Sequence, residues 1–64
     1  MYEIFQLTHA RFEVSCAPGD IVHIAFDGND DTWTVEEDPE NQTYRTRGEA
    51  VDRARFIGKD PDFL

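Results

Sequence analysis

Hydrophobic and polar positions alternate along much of the first half of the chain. Phe12, Val14 and Cys16 fall on one face of an extended segment and Arg11, Glu13 and Ser15 on the other, which predicts a half-buried strand over 11–16. Residues 21–26 form the most apolar run. Val22, Ile24 and Phe26 share a face there, and Ile21, His23 and Ala25 share the other, as suits a central strand. Residues 2–7 are rich in aromatic and branched side chains and read as a strand. Ile4 and Phe5 are adjacent and break the alternation, so a short helix running through Thr8 is the competing reading.

Turn chemistry separates these segments. Ala17-Pro18-Gly19-Asp20 is a turn, with proline presetting one backbone angle and glycine permitting a positive one. Asp27-Gly28, widened by Asn29, Asp30 and Asp31, marks a hairpin. Residues 32–37 form its second strand, with Trp33 and Val35 on one face and Thr32, Thr34 and Glu36 on the other. Pro39 ends that strand because it has no N–H for the ladder. Residues 40–44 are polar loop, with a short extension at 43–45.

The period then changes. Thr46-Arg47-Gly48-Glu49 reads as a capping box, in which the Thr46 hydroxyl accepts from the Glu49 N–H and the Glu49 side chain reaches back. Ala50, Val51, Ala54 and Ile57 make one apolar stripe, Gly58 is the stop signal, and Arg55 and Lys59 lie near the negative end of the helix dipole. Residues 60–64 are a tail that docks through Phe63. These elements predict one small α+β domain over 1–64, an antiparallel sheet of three to four strands with a C-terminal helix on one face. Trp33 is its expected core anchor, packed on Val51 and Ala54.

The 64 residues hold a single cysteine, Cys16, which excludes an intramolecular disulfide and fits a reducing compartment. The first residues show no basic region followed by a long apolar run, and no apolar run approaches the roughly 20 residues of a membrane span. A cytoplasmic location is expected, and without secretion the sequon at Asn41-Gln42-Thr43 carries no meaning. A core this small leaves little room for an enclosed catalytic cavity.

Charge changes the picture most. The formal charge is −8, from 14 acids against 6 bases. Between Arg11 and Arg45 there is no lysine or arginine, and nine acids lie there. Seven of the 14 acids fall in one stretch: Asp27, Asp30, Asp31, Glu36, Glu37, Asp38 and Glu40. Such a balance repels nucleic acid and anionic membranes and is complementary to a basic protein.

Three chemistries compete for these residues. Asp27, Asn29, Asp31 and Asp38 fall at positions one, three, five and twelve of a calcium loop, but the glycine needed at position six is Thr32, so an acidic hairpin is preferred. Cys16, His9 and His23 match no nucleophile–base or transition-metal spacing, and neither an enzyme nor a cofactor is expected. The third chemistry is phosphate mimicry. Residues two apart on a strand lie about 6.6 Å apart, on the scale of successive phosphates. Glu36 and Asp38 would have that spacing on one face.

Trp-Thr-Val-Glu from Trp33, Thr-Tyr-Arg-Thr from Thr43 and Gly-Glu-Ala-Val-Asp-Arg-Ala from Gly48 resemble a family of small uncharacterised hairpin-plus-helix domains, over about a third of the chain. That resemblance implies fold and no activity. The whole profile, one small acidic domain without enzymatic motifs, is similar in type to phage-encoded anti-CRISPR proteins. Several of those imitate DNA and block the target-binding surface of a CRISPR effector complex. The likeness transfers no individual residue. The leading expectation is thus a non-enzymatic inhibitor, monomeric by default. Its acids at 27, 30, 31, 36, 37, 38 and 40 would enter a basic nucleic-acid-binding groove, most concretely that of a Cascade-type effector subunit. The alternative is a housekeeping or structural module whose acidity serves solubility or salt adaptation.

Overall fold

The computed structural model describes residues 2–63. Five strands precede one helix: β1 (Glu3–Thr8), β2 (Arg11–Ser15), β3 (Ile21–Asp27), β4 (Thr32–Val35), β5 (Thr43–Tyr44) and α1 (Arg47–Ile57). The sheet is an antiparallel meander whose spatial order is the chain order. The α+β class and the C-terminal helix are as expected. The strand count is one higher than the upper expectation, because the extension at 43–45 pairs with β4: Trp33 opposite Tyr44 and Thr34 opposite Thr43. The N-terminal segment is a strand and not a helix, since β2 offers it a ladder from Glu3 to Thr8, interrupted only by a bulge between Gln6 and Thr8.

Register places the apolar residues together. Val14 lies opposite Val22, Phe12 opposite Ile24, and Ile24 opposite Val35, so the alternation read from each strand adds up to one continuous face. Val14, Cys16, Val22, Ile24 and Val35 are buried there against Ala50, Val51 and Ala54 of α1. Each large aliphatic side chain so buried contributes about 1.5–3 kcal/mol. The two alanines let the helix backbone sit close to the sheet. The capping box forms as expected, with the Glu49 N–H donating to Thr46 Oγ1 and the Thr46 N–H to Glu49 Oε1, both at 3.2 Å.

The helix end departs from expectation. Gly58 is right-handed, with φ −77°, and the left-handed residue is Lys59, with φ 59°. The Asp60 N–H donates to the Arg55 carbonyl at 2.9 Å and the Lys59 N–H to that of Phe56 at 3.2 Å, which is a Schellman closure. Gly58 is needed one position earlier for another reason. A Cβ there would lie 2.7 Å from Cys16 Sγ and 3.1 Å from the carbonyl oxygens of both Ala54 and Asp20. Gly19, in the β2–β3 turn, meets the same junction: a Cβ on it would overlap the Gly58 carbonyl oxygen, which accepts from the Asp20 N–H at 2.9 Å. Gly19 therefore serves backbone approach, not a positive φ. The same displacement occurs in the β3–β4 loop, where Asp31, with φ 58°, and not Gly28, is left-handed.

Three packing expectations are met in part: Trp33 and Ile57 lie against the core without being buried in it, and Phe63 docks on a cation. Trp33 is half-buried, at the hairpin end of the sheet, with its ring 5.8 Å from Phe12 and 5.1 Å from Phe26. It closes one end of the core instead of filling its middle. Ile57 is half-buried for the same reason at the other end. Phe63 remains 40 % exposed, and its anchor is the Arg55 guanidinium, 5.1 Å from the ring centre. Leu64 of the predicted tail lies outside the described residues.

Candidate functional site: the acidic hairpin and its aromatic cleft

The seven acids of the 27–40 stretch divide into two groups. Asp30 and Asp31 sit on the exposed β3–β4 loop, and exposed Asp27 ends β3 beside it, its Oδ1 accepting the Asn29 N–H at 2.9 Å. No ion pair involves any of these three among the described residues. The other four are taken up by the domain's own cations and amides.

Glu36 receives a two-pronged contact from Arg11, Nε to Oε2 at 2.6 Å and Nη2 to Oε1 at 2.9 Å. Arg11's hydrogen bond holds the Glu36 carboxyl below its ordinary value against the opposing effect of partial burial. Glu37 folds back on β3. Its Oε1 accepts the His23 backbone N–H at 2.8 Å, and its Oε2 lies 2.6 Å from His23 Nδ1. The Glu36 N–H still donates to the His23 carbonyl at 2.9 Å, but the Glu37 side chain then takes the His23 N–H in place of a backbone carbonyl, and β4 ends at Val35, two residues before the expected boundary of 37. Glu13 stands on the other side of the same imidazole, 3.8 Å from Nε2.

Asp38 is buried, contrary to its expected place on an exposed strand face beside Glu36. Arg53 grips both of its oxygens at 3.1 Å, the Glu40 N–H donates to Oδ1 at 2.9 Å, and the Tyr44 hydroxyl lies 3.3 Å from Oδ2. Arg53's hydrogen bond keeps the Asp38 carboxyl below its usual range although burial pushes the other way. The same arginine reaches Glu40 at 2.9 Å. Burial, with Asp38 adding to it, raises the Tyr44 phenol. Asp38 is therefore a fastener between the β4 exit and α1. The calcium pattern fails at its twelfth position for that reason, and the described residues include no group of three or more His, Cys, Asp or Glu placed to hold a metal ion.

Beside the acidic loop the structure opens a cleft of about 360 Å³ that sequence reasoning did not anticipate. Phe12, Phe26 and Trp33 form its apolar walls, and His9 and Arg47 line it too. The Arg47 guanidinium lies 5.6 Å from the Phe12 ring centre. Phe26 is directly opposite Trp33, and Asp27 opposite Thr32, so the cleft and the carboxylates occupy the same end of the β3–β4 hairpin. The signal for it was the aromatic spacing Phe12, Phe26, Trp33, but only the register brings those rings together.

Cys16, His9 and His23 are not brought together. Cys16 is buried beneath the helix C-terminus, where burial pushes its thiol up. His23 occupies the opposite sheet face, and His9 the β1–β2 turn. No helix among the described residues is long and apolar enough to cross a membrane. No protein-family model, curated protein or solved structure matches the chain.

Proposed function

We propose that this domain is a non-enzymatic binding module whose β3–β4 hairpin end offers Asp27, Asp30 and Asp31 to a basic groove of a nucleic-acid-binding protein. One observation carries the reading: these three acids are exposed and, among the described residues, in no ion pair, whereas Glu36, Glu37, Asp38 and Glu40 are occupied within the domain. Free carboxylates projecting from a sheet end meet arginines and lysines without first breaking an internal pair, and they speed association by steering. An inhibitor of a CRISPR effector is the form that the resemblance implies. The phosphate-mimicking surface is then the hairpin tip and not the whole stretch.

The test is competition. A Cascade-type effector is titrated with duplex DNA in the presence of wild-type protein or of the triple variant Asp27→Asn, Asp30→Asn, Asp31→Asn. Wild type should lower DNA binding with a steep dependence on salt, and the triple variant should lose that effect at least tenfold. Equal inhibition by both would sink the role of these acids, and no inhibition by wild type would sink the effector as partner.

A second reading rests on its own observation. Four of the seven acids are spent on Arg11, His23 and Arg53, which is what a fold stabilised and solubilised by its charge requires. Under that reading the triple variant loses solubility and changes no specific interaction.

A further inference from the structure

Strand β1 contributes nothing to the core. All six of its residues are exposed, including Ile4 at 37 %, Phe5 at 48 % and Leu7 at 44 %. Among the described residues α1 packs on β2, β3, β4 and β5 and does not reach β1. The strand is thus bare on both faces and along its outer edge, while ordering it costs backbone entropy that only the ladder to β2 offsets.

The two edges of the sheet are treated differently. β5 is two residues long and runs at once into the Thr46 cap, so it offers almost no template. β1 is six residues long, holds no proline, lysine or arginine, and carries one charge, Glu3, at its end. Its single irregularity is a bulge between Gln6 and Thr8. Long, apolar edges without protection pair with another strand.

We infer that β1 pairs antiparallel with β1 of a second copy, making one continuous sheet across a twofold axis at Phe5. The occupant follows from charge and symmetry. A twofold perpendicular to the sheet keeps each side chain on its own face, so a residue must oppose one of like orientation and the axis must pass through a residue. An axis at Gln6 puts the bulged Leu7 directly beside the axis, opposite Phe5 of the second copy, whereas an axis at Phe5 leaves Leu7 at the end of the new ladder. An axis at Phe5 sets Phe5 against its own copy, Ile4 against Gln6 of the second copy and Glu3 against Leu7 of the second copy. No carboxylate then faces another, and two aromatic rings meet as a cross-strand pair. Self-pairing is thereby tolerated by a chain whose net charge of −8 disfavours most contacts with itself.

Sedimentation equilibrium over micromolar to millimolar protein tests this. Wild type should pass from 7.4 kDa to twice that mass and stop there. Phe5→Lys should remain monomeric with unchanged circular dichroism, because Phe5 is exposed and the new ammonium faces Glu13 on β2 within its own chain. Phe5→Glu should likewise be monomeric, and an equimolar mixture of the two variants should recover the dimer through opposite charges at the axis. Amides of β1 in wild type should exchange more slowly as concentration rises, a readout independent of any variant. A wild type that stays at 7.4 kDa at millimolar concentration overturns the proposal. So does assembly beyond two copies, a Phe5→Lys variant that dimerises as well as wild type, or a mixture that stays monomeric.

Discussion

Alanine in place of Gly19 should be the most damaging one-methyl change to a surface turn of this protein. The added Cβ would overlap the Gly58 carbonyl oxygen and lie 2.8 Å from that of Cys16. Both are backbone atoms, so relief requires the β2–β3 turn to part from the helix end. Overpacking of this kind costs about 1–3 kcal/mol. Loss of the bond from the Asp20 N–H to the Gly58 carbonyl adds about 1 kcal/mol. The stiffer unfolded chain returns about 0.4–1 kcal/mol. The net is about 2 kcal/mol, against a total on the order of 3–10 kcal/mol for a chain of this length. Thermal unfolding should fall by about 10 °C. Gly48→Ala is the internal control. It sits in the first turn of α1, where its Cβ would meet only Thr46 Oγ1 at 3.9 Å, and it should stabilise by about 0.5 kcal/mol through helix propensity. Urea titration followed by Trp33 fluorescence and circular dichroism reads both. If Gly19→Ala unfolds within 0.5 kcal/mol of wild type, the junction yields and the close approach of the two backbones does not require glycine there.

Lys59→Gly should stabilise by about 0.5–1 kcal/mol, since a left-handed residue with a side chain gives way to one without, and a raised denaturant midpoint is the readout. Thr46→Ala removes the acceptor for the Glu49 N–H and should cost about 1 kcal/mol by the same assay. Acid should unfold the domain through specific carboxyls. Glu36, Asp38 and Asp60 are all held below their ordinary values, Asp60 by the Arg55 hydrogen bond and the Asp62 N–H against strong burial. Their contribution is complete above the unfolded-state value and is lost as pH falls through the lower folded values. Stability measured from pH 6 to pH 2 should therefore decline on the acid side. Asp38→Asn should flatten that decline while lowering the plateau, and an unaltered slope would show that Asp38 is not among the groups responsible.

What was legible beforehand was local. The alternation at Phe12, Val14 and Cys16 and at Val22, Ile24 and Phe26 identified the buried face because each strand carries its own pattern. The capping box lies within four residues and needs no partner elsewhere. What escaped were features set by distant pairs. Arg11 and Glu36 are 25 positions apart, and Arg53 and Asp38 are 15 apart. No rule on neighbouring residues reveals that an acidic run is being neutralised from two other elements. Gly58 misled for a related reason: its local signature is that of a left-handed cap, but its contacts with Cys16 and Asp20 claimed it first. The aromatic cleft was hidden in the same way, since Phe12, Phe26 and Trp33 belong to three strands.

The meander bears on the time course of folding. Because spatial order and chain order coincide, the β1–β2, β2–β3 and β3–β4 ladders can each close over a short loop, before any distant segment arrives. Small loops close quickly, and chains rich in such contacts fold fast. The helix end meets the Gly19 turn across most of the chain, as in the bond from the Asp20 N–H to the Gly58 carbonyl, a far longer loop than any hairpin closes, so it is a natural late step. Damage there should leave the folding rate nearly untouched and appear as faster unfolding. The domain's lifetime, more than its speed of assembly, then rests on the place where two glycines bring two stretches of backbone together.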